Sequence, residues 1–402
     1  MAAAPTAAAA LGFDPNGADF IGDPYPVYAR LRDQPGLVHY EHNGWWLASR
    51  HADVDAMLRS RQLGRVFVPK QPYERFAPWN LVNEHAMLEM EPPDHTRLRR
   101  LVSHAFTPRR VEQLRDRVRA IADELVDGLV EAGGGDLLAD LAEPLPVAVI
   151  SELLGIEGEE RDLLRPWSNA IVALYEPEAD ASVEEAAITA AREFTDYLDV
   201  LIDRRREAPG EDLLSALVQL QVEGDRLTRN ELVATAVLLL NAGHEASVNV
   251  MGNGTVAMLQ QGQWERLVGD PGLAPTAVEE AIRFDMPLSV FTRTVMEDVT
   301  IGEHELREGQ VVGLLLAAAN RDPAVFDAAD QMDIGRSPNP HVGFGAGIHF
   351  CLGAALARVE LQEAFTTLAT RVPSLALVTD PPRRASFQFR GYTAVPITTG
   401  DG

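Results

Sequence analysis

Phe344-Gly345-Ala346-Gly347-Ile348-His349-Phe350-Cys351-Leu352-Gly353 is the stretch on which the reading of this 402-residue chain turns. It holds the only cysteine, set among glycines and followed by a run, Cys351 to Thr370, whose apolar spacing predicts a helix. Glycine tolerates positive φ and lets a backbone approach a flat ligand closely. Backbone N–H groups and the N-terminus of the next helix are expected to lower the pKa of the Cys351 thiol and favour the thiolate, the form that binds metal. A lone cysteine elsewhere would read as a small buried hydrophobe. Here its surroundings point to a ligand.

Working outward, Arg229 to Gln260 carries almost no charge and predicts a helix of about 45 Å, long enough to be a central strut. Pro275 to Phe284 predicts a shorter helix, Ser289 to Leu316 short strands with turns at Gly302 and Gly309, and Ser386 to Ile397 further strand. Toward the N-terminus, Leu37 to Tyr40 and Trp45 to Ala48 around Asn43-Gly44 read as a hairpin. Leu63 to Glu89, with Pro69, Pro72 and Pro78, reads as a long loop rich in aromatics. Helical periodicity runs from Asp94 to Arg206, with breaks at Gly133-Gly134-Gly135 and at Pro144 and Pro146, and Glu176 to Ala181 reads as a mobile loop. The expected architecture is mainly α with a small β-rich lobe: a flexible tail over residues 1–20, then one domain over residues 21–402.

A net charge of -25 argues against nucleic acid and acidic membrane surfaces as partners. No segment reads as a membrane span, because the apolar run Leu232 to Leu240 is short and leads into Asn241, His244 and Glu245. One cysteine forms no intramolecular disulfide, so the cytoplasm is the expected compartment and a monomer the expected state.

The spacing of Phe344, Gly345, Gly347, His349, Cys351 and Gly353 resembles the haem-binding loop of the cytochrome P450 family, in its soluble bacterial form. The resemblance extends over nearly the whole chain. It implies haem b with Cys351 as axial ligand, lying between the long central helix and the cysteine-loop helix. Glu280 and Arg283 match the family's Glu-x-x-Arg, with Arg336 as the third member of a structural ion-pair network. His95 and Arg99, at i,i+4 on one helix face, match a clamp for the haem propionates, and Arg293 and His349 match two further clamp positions.

In the central helix, Ala242-Gly243-His244-Glu245-Ala246-Ser247 matches the family's oxygen-side segment. Ala242 and Gly243 are expected to leave room for dioxygen, and the helix ladder to open slightly there. Glu245 matches the acid of the family's proton relay, but Ala246 stands where a threonine is usual. Ser247, one residue on, is turned about 100° around the axis. A substrate hydroxyl with an ordered water, Ser247 acting through a distorted turn, or poor coupling are the open alternatives.

The resemblance further implies a monooxygenase acting with O2 on a mostly apolar small molecule. Contacts are expected from the aromatic loop before His95, the Leu174 to Asp180 loop, Leu239 to Ala246, Ser289-Val290-Phe291, and Gly391-Tyr392. An iron-sulfur ferredoxin with an NAD(P)H-dependent reductase is the expected electron source, since the chain ends 51 residues past Cys351 with no attached reductase. Arg97, Arg100, Arg109, Arg110 and Arg358 are the expected docking cations for an acidic ferredoxin. A thiolate-haem enzyme using peroxide or nitric oxide, and a non-catalytic haem sensor, are the alternative readings.

Overall fold

Thr228 opens the longest helix with a capping box: its hydroxyl accepts from the Glu231 N–H at 3.3 Å, and the Glu231 carboxylate accepts from the Thr228 N–H at 2.7 Å. In the computed structural model, which describes residues 7–175 and 179–400, the helix then runs unbroken from Arg229 to Gln260. Between Leu232 and Met258 it is buried on every side except at Leu238, Ala242, Gly243 and Ala246. Leu238, Ala242 and Ala246 are four residues apart, so the open positions form one stripe along one face.

The helices that build the site are, in chain order, α1 (Tyr73–Glu84), α2 (Asp94–Ala105), α3 (Arg115–Ala132), α4 (Pro144–Leu154), α5 (Arg161–Ala173), α6 (Ala181–Glu207), α7 (Arg229–Gln260), α8 (Ala274–Phe284) and α9 (Ala354–Arg371). α7 packs against α1, α4, α5, α8 and α9, which makes it the strut the sequence predicts. The larger sheet has strands β1 (Val38–Tyr40), β2 (Trp45–Ala48), β3 (Leu63–Gly64), β4 (Phe291–Val295) and β5 (Val311–Leu314), in the order β1-β2-β5-β4-β3. β2 and β5 are parallel and the other pairs antiparallel. Val299–Ile301 and His304–Leu306 form a hairpin, and Gly134–Asp136, Pro396–Thr398 and Ala376–Leu377 a small sheet. Buried apolar side chains from Ala8 to Ile397 form one connected core. The fold is mainly α with a small β-rich lobe. Among the described residues no helix is long and apolar enough to cross a membrane.

Three expectations fail. The tail is ordered from residue 7 onward: the Ala8 N–H donates to the His39 carbonyl at 2.8 Å, and the buried rings of Phe13 and Phe20 meet edge to face at 5.2 Å. Buried aromatics hold this segment where an Ala-rich composition reads as frayed. The loop expected over residues 63–89 contains α1, with Pro78 inside it. Proline there deprives the Glu74 carbonyl of its helical partner. Burial of Phe76, Trp79 and Val82 in the core, in a helix packed on α6 and α7, offsets that cost. Ser386 to Ile397 is mostly not strand: only isolated bridges, Leu288 with Phe389 and Arg383 with Tyr392, precede Pro396–Thr398. Its conformation is set by arginine side chains instead, Arg383 and Arg390 both reaching Asp285. Of the mobile loop expected over Glu176 to Ala181, residues 176–178 lie outside the described residues, and Ala181 already opens α6 behind an Asp180 cap.

Candidate functional site

The cysteine loop closes on itself through the Cys351 N–H to the Phe344 carbonyl at 2.9 Å and the Gly345 N–H to the Val342 carbonyl at 2.8 Å. Gly347 has φ +69°, and a Cβ on it would lie 2.7 Å from the Leu58 carbonyl oxygen, so only glycine brings the loop this close to its neighbour. Gly353 is the N-cap of α9, with Cys351 just ahead of the helix. The expected direction of the Cys351 pKa is not what the structure gives. Burial pushes the thiol up, against the downward pull of the Gly353 and Ala354 N–H groups and of the Arg99 and Arg358 charges.

His95 and Arg99 of α2 and Arg293 of β4 gather around His349 of this loop. The His95 and His349 rings lie 4.4 Å apart, and Arg99 donates to the Phe350 carbonyl at 2.8 Å. Arg293 is buried on β4, and among the described residues its side chain bonds only to the Thr292 carbonyl. Sequence reasoning missed Glu91, which accepts from the His349 ring at 2.9 Å and from the Arg65 N–H at 2.8 Å. Its place directly ahead of Pro92-Pro93 and α2 was the available signal. Burial pushes Arg293 down to about 10 and His95 down to about 4, with His349 and Arg99 adding to the fall at His95. Both ring nitrogens of His95 and the Nε of Arg65 are buried without a partner. A group of cations and unmatched donors is a site for carboxylates, and haem carries two. The stripe of Leu238, Ala242 and Ala246 supplies an apolar wall. The residues present fit haem.

Behind the loop, Glu280 and Arg283 are both fully buried and joined by two hydrogen bonds of 2.8 Å. The Arg336 Nε adds bonds of 3.0 and 3.2 Å, Asn339 one of 3.1 Å, and the Asp333 N–H one of 2.9 Å, all to the Glu280 carboxylate. Arg283 spends its remaining donors on the carbonyls of Asn320, Ala329 and Gln331. Glu280, Arg283 and Arg336 are paired and hydrogen-bonded, the condition under which buried ions are tolerated.

On α7 the expected residues part company. Ala242 is exposed on the open stripe, whereas the missing side chain of Gly243 faces α4: a Cβ there would stand 3.4 Å from Ile150. Position 243 therefore faces α4 rather than the open stripe. Ala246 lies on the stripe. Ser247 is buried and its hydroxyl donates to Glu360 of α9 at 3.4 Å. The segment is assigned to helix throughout, and the Ser247 hydroxyl is turned to Glu360. The carboxylate of Glu245 is taken by Arg384 in an ion pair and by the Asn249 side chain at 3.3 Å. Glu360 and Arg384 went unread in the sequence, because neither sits in a local pattern. Burial pushes the Glu360 carboxyl up to about 8.

The five arginines expected at a docking face divide. Arg97 is bonded to Glu231 and Asp225, Arg100 to Glu223, and Arg358 to Glu279. Arg109 and Arg110 enter no ion pair among the described residues, and one Arg110 nitrogen is buried unpartnered.

Loop, clamp and ion-pair cluster together define a protein that binds haem through a cysteine thiolate. Comparison with known proteins agrees. A family model described as Cytochrome P450 matches residues 273–371. Cytochrome P450 107B1 of Saccharopolyspora erythraea is 40% identical over 396 residues, covering 95% of this chain and 96% of that one. Cytochrome P450 monooxygenase PikC of Streptomyces venezuelae is 41% identical over 393 residues, covering 95% and 92%. The crystal structure of P450BioI in complex with an acyl carrier protein ligated to hexadec-9Z-enoic acid superposes with a TM-score of 0.90 at 33% identity, covering 95% of this chain and 99% of that one. The chain belongs to the cytochrome P450 family. It is a haem b monooxygenase with Cys351 as the axial ligand, acting with O2 and a redox partner on a small molecule.

Proposed function

We propose that this monooxygenase inserts one oxygen atom, by hydroxylation or epoxidation, into a mostly apolar small organic molecule with electrons from a ferredoxin. The observation that carries the reading is the set of unmatched buried donors, His95 above all, gathered beside the loop of Cys351. His95, Arg99, Arg293 and His349 hold the haem carboxylates, with Arg65 as a fifth donor. Phe344, Gly345 and Gly353 shape the loop that presents Cys351, and Ala242 and Ala246 line the space where substrate and O2 meet. Glu280, Arg283 and Arg336 fix the frame behind the loop. Haem bound by Cys351 supplies the activation of O2.

What remains for the chain is proton supply. Glu245 adjoins Ala246 of the stripe in sequence and is the acid proposed for the relay. Ser247 is engaged with Glu360, away from that face, which favours a substrate hydroxyl with an ordered water as the group that completes the relay beside Ala246. For the partner, an acidic ferredoxin meets the two unpaired cations Arg109 and Arg110.

A spin-state screen of a broad compound library, followed by mass spectrometry of turnover with NADPH, ferredoxin and its reductase, tests this reading. Hits that shift the spin state and gain one oxygen atom are expected. Oxygenation that proceeds only with added peroxide would sink the ferredoxin-dependent reading. Arg109→Glu with Arg110→Glu is expected to slow reduction by ferredoxin and to weaken its dependence on salt; a rate insensitive to both counts against docking there.

A further inference from the structure

An acid stands in the middle of the cluster that is proposed to hold the two haem carboxylates. Glu91, separated from α2 by Pro92 and Pro93, touches three of the five clamp residues. Its side chain accepts from the His349 ring at 2.9 Å and from the Arg65 N–H at 2.8 Å. Its backbone carbonyl accepts from the His95 N–H at 3.1 Å. The Glu91 charge also acts on Arg293 and His95. One residue thus links the end of β3, the cysteine loop and the first turn of α2.

Room for this carboxylate is built into the neighbouring strand. A Cβ on Gly64, the last residue of β3, would fall 2.9 Å from the Glu91 Cγ, 3.1 Å from its Cδ and 2.8 Å from the Met296 sulfur. Gly64 is not among the glycines with positive φ, so what its missing side chain provides is space for these two neighbours.

An anion among cations that face two further anions needs a physical reason, and the histidines supply one. The two ring nitrogens of histidine are distinct, and a hydrogen bond at one fixes how the other is presented. With Nε2 of His349 on Glu91, Nδ1 is the nitrogen left for a haem carboxylate. Neither ring nitrogen of His95 has a partner among the described residues, so its placement comes from its backbone, which the Glu91 carbonyl anchors, and from the His349 ring at 4.4 Å.

We infer that Glu91 is the positioning residue of the haem clamp: its side chain sets the His349 ring, and its carbonyl sets the turn of α2 that carries His95. Its charge also reduces the positive excess of Arg65, Arg99 and Arg293, and so keeps the reduction potential of the bound haem lower than those cations alone would make it. The inference rests on the clamp of the proposed function.

The test uses the haem-loaded protein without organic substrate. It reads the propionate bending bands of the resonance Raman spectrum, the reduction potential, and the rate at which haem passes to apomyoglobin. Glu91→Ala is expected to shift the bands, raise the potential and speed haem transfer by about tenfold or more, the scale of a lost hydrogen bond to a charged group. Glu91→Gln keeps an acceptor oxygen but drops the charge, so its bands should stay near the wild-type position while its potential still rises. Gly64→Ala keeps the charge and crowds the side chain; there the bands should shift and the potential move less than in Glu91→Gln. Bands that Glu91→Ala leaves in place overturn the inference even if its unfolding midpoint falls, because Glu91 would then only brace the fold. Bands that move as far in Glu91→Gln as in Glu91→Ala, or a potential that Glu91→Gln leaves unchanged, overturn it as well. His349→Ala and Arg293→Gln separate the inference from its premise. Wild-type bands in both remove the clamp itself, whereas shifted bands there with none in Glu91→Ala remove Glu91 alone.

Discussion

Two buried glutamates, Glu280 behind the cysteine loop and Glu360 where α9 meets α7, are treated in opposite ways by the same fold. Glu280 is surrounded by donors: two guanidiniums, an amide side chain and a backbone N–H. Glu360 is equally shut from water, yet among the described residues its one partner is the Ser247 hydroxyl at 3.4 Å. Ionisation is matched at the first and resisted at the second, where burial pushes the carboxyl up to about 8. The contrast teaches that the molecule has a side that must not move and a side that keeps a proton. The frame around Cys351 is fixed by ions, and the opposite face of α7 is left with acids whose state depends on their surroundings.

The largest effect belongs to the fixed side. Cys351→Ala is expected to abolish monooxygenase turnover and the thiolate-type spectrum of the reduced carbon-monoxide complex, whatever happens on the other face. Retention of that spectrum would remove Cys351 as the ligand. Next comes Glu280→Ala, which leaves Arg283 buried without its carboxylate. A loss of about 3–5 kcal/mol is expected in denaturant unfolding of the haem-loaded protein. A loss under about 1 kcal/mol, the range of exposed ion pairs, would mean that the cluster is not the frame described.

How far these regions were legible in the sequence follows the same division. The cysteine loop, the strut from Arg229 to Gln260 and the helix carrying Glu280 are written in local patterns: glycine spacing, an absence of charge, a capping box, an i,i+3 pair. Sequence reading reached the loop and the strut through glycine spacing and absence of charge, without the capping box, and Glu280, Arg283 and Arg336 came through resemblance. On the other face the deciding contacts are long-range. Ser247 finds Glu360 113 residues away and Glu245 finds Arg384 139 residues away, and no local period encodes either. The helix Tyr73–Glu84 was hidden by Pro78, since its stability comes from the core that Phe76 and Trp79 enter rather than from propensity. For the free Cys351 thiol, the N–H groups that pull its pKa down can be read from sequence, whereas the burial that pushes it up cannot.

Glu360→Gln sharpens the comparison by making the second glutamate unable to ionise. The native carboxyl keeps its proton up to about 8, while the unfolded one releases it near its ordinary 4.5. Between those values the folded state binds more protons, so this group makes stability fall as pH rises, by up to roughly 1.4 kcal/mol per unit. Below 4.5 both states are protonated and the contribution is level. Unfolding curves of the wild type and Glu360→Gln are therefore expected to run together in acid and to diverge between pH 4.5 and 8, the variant being the more stable at the upper end. Curves that stay parallel across the window would place a charged, matched carboxylate at 360 and erase the contrast with Glu280.

The smallest expected effect is also the most local, at Ala246. A threonine there would put a hydroxyl on the open stripe beside Glu245, in the space that a substrate hydroxyl and its water take in the proposed relay. The sign of the effect should then depend on the substrate. For a compound from the spin-state screen that carries a hydroxyl near the oxidised carbon, Ala246→Thr displaces the ordered water and lowers product formed per NAD(P)H. For the analogue lacking that hydroxyl it supplies the missing donor and raises the yield. Each change is expected to be about twofold, well below the 10²–10⁴ range of a complete acid–base step, because Glu245 is present throughout. Equal yields from wild type and variant with both compounds would mean that protons reach the pocket without passing residue 246, and the substrate hydroxyl would lose its role.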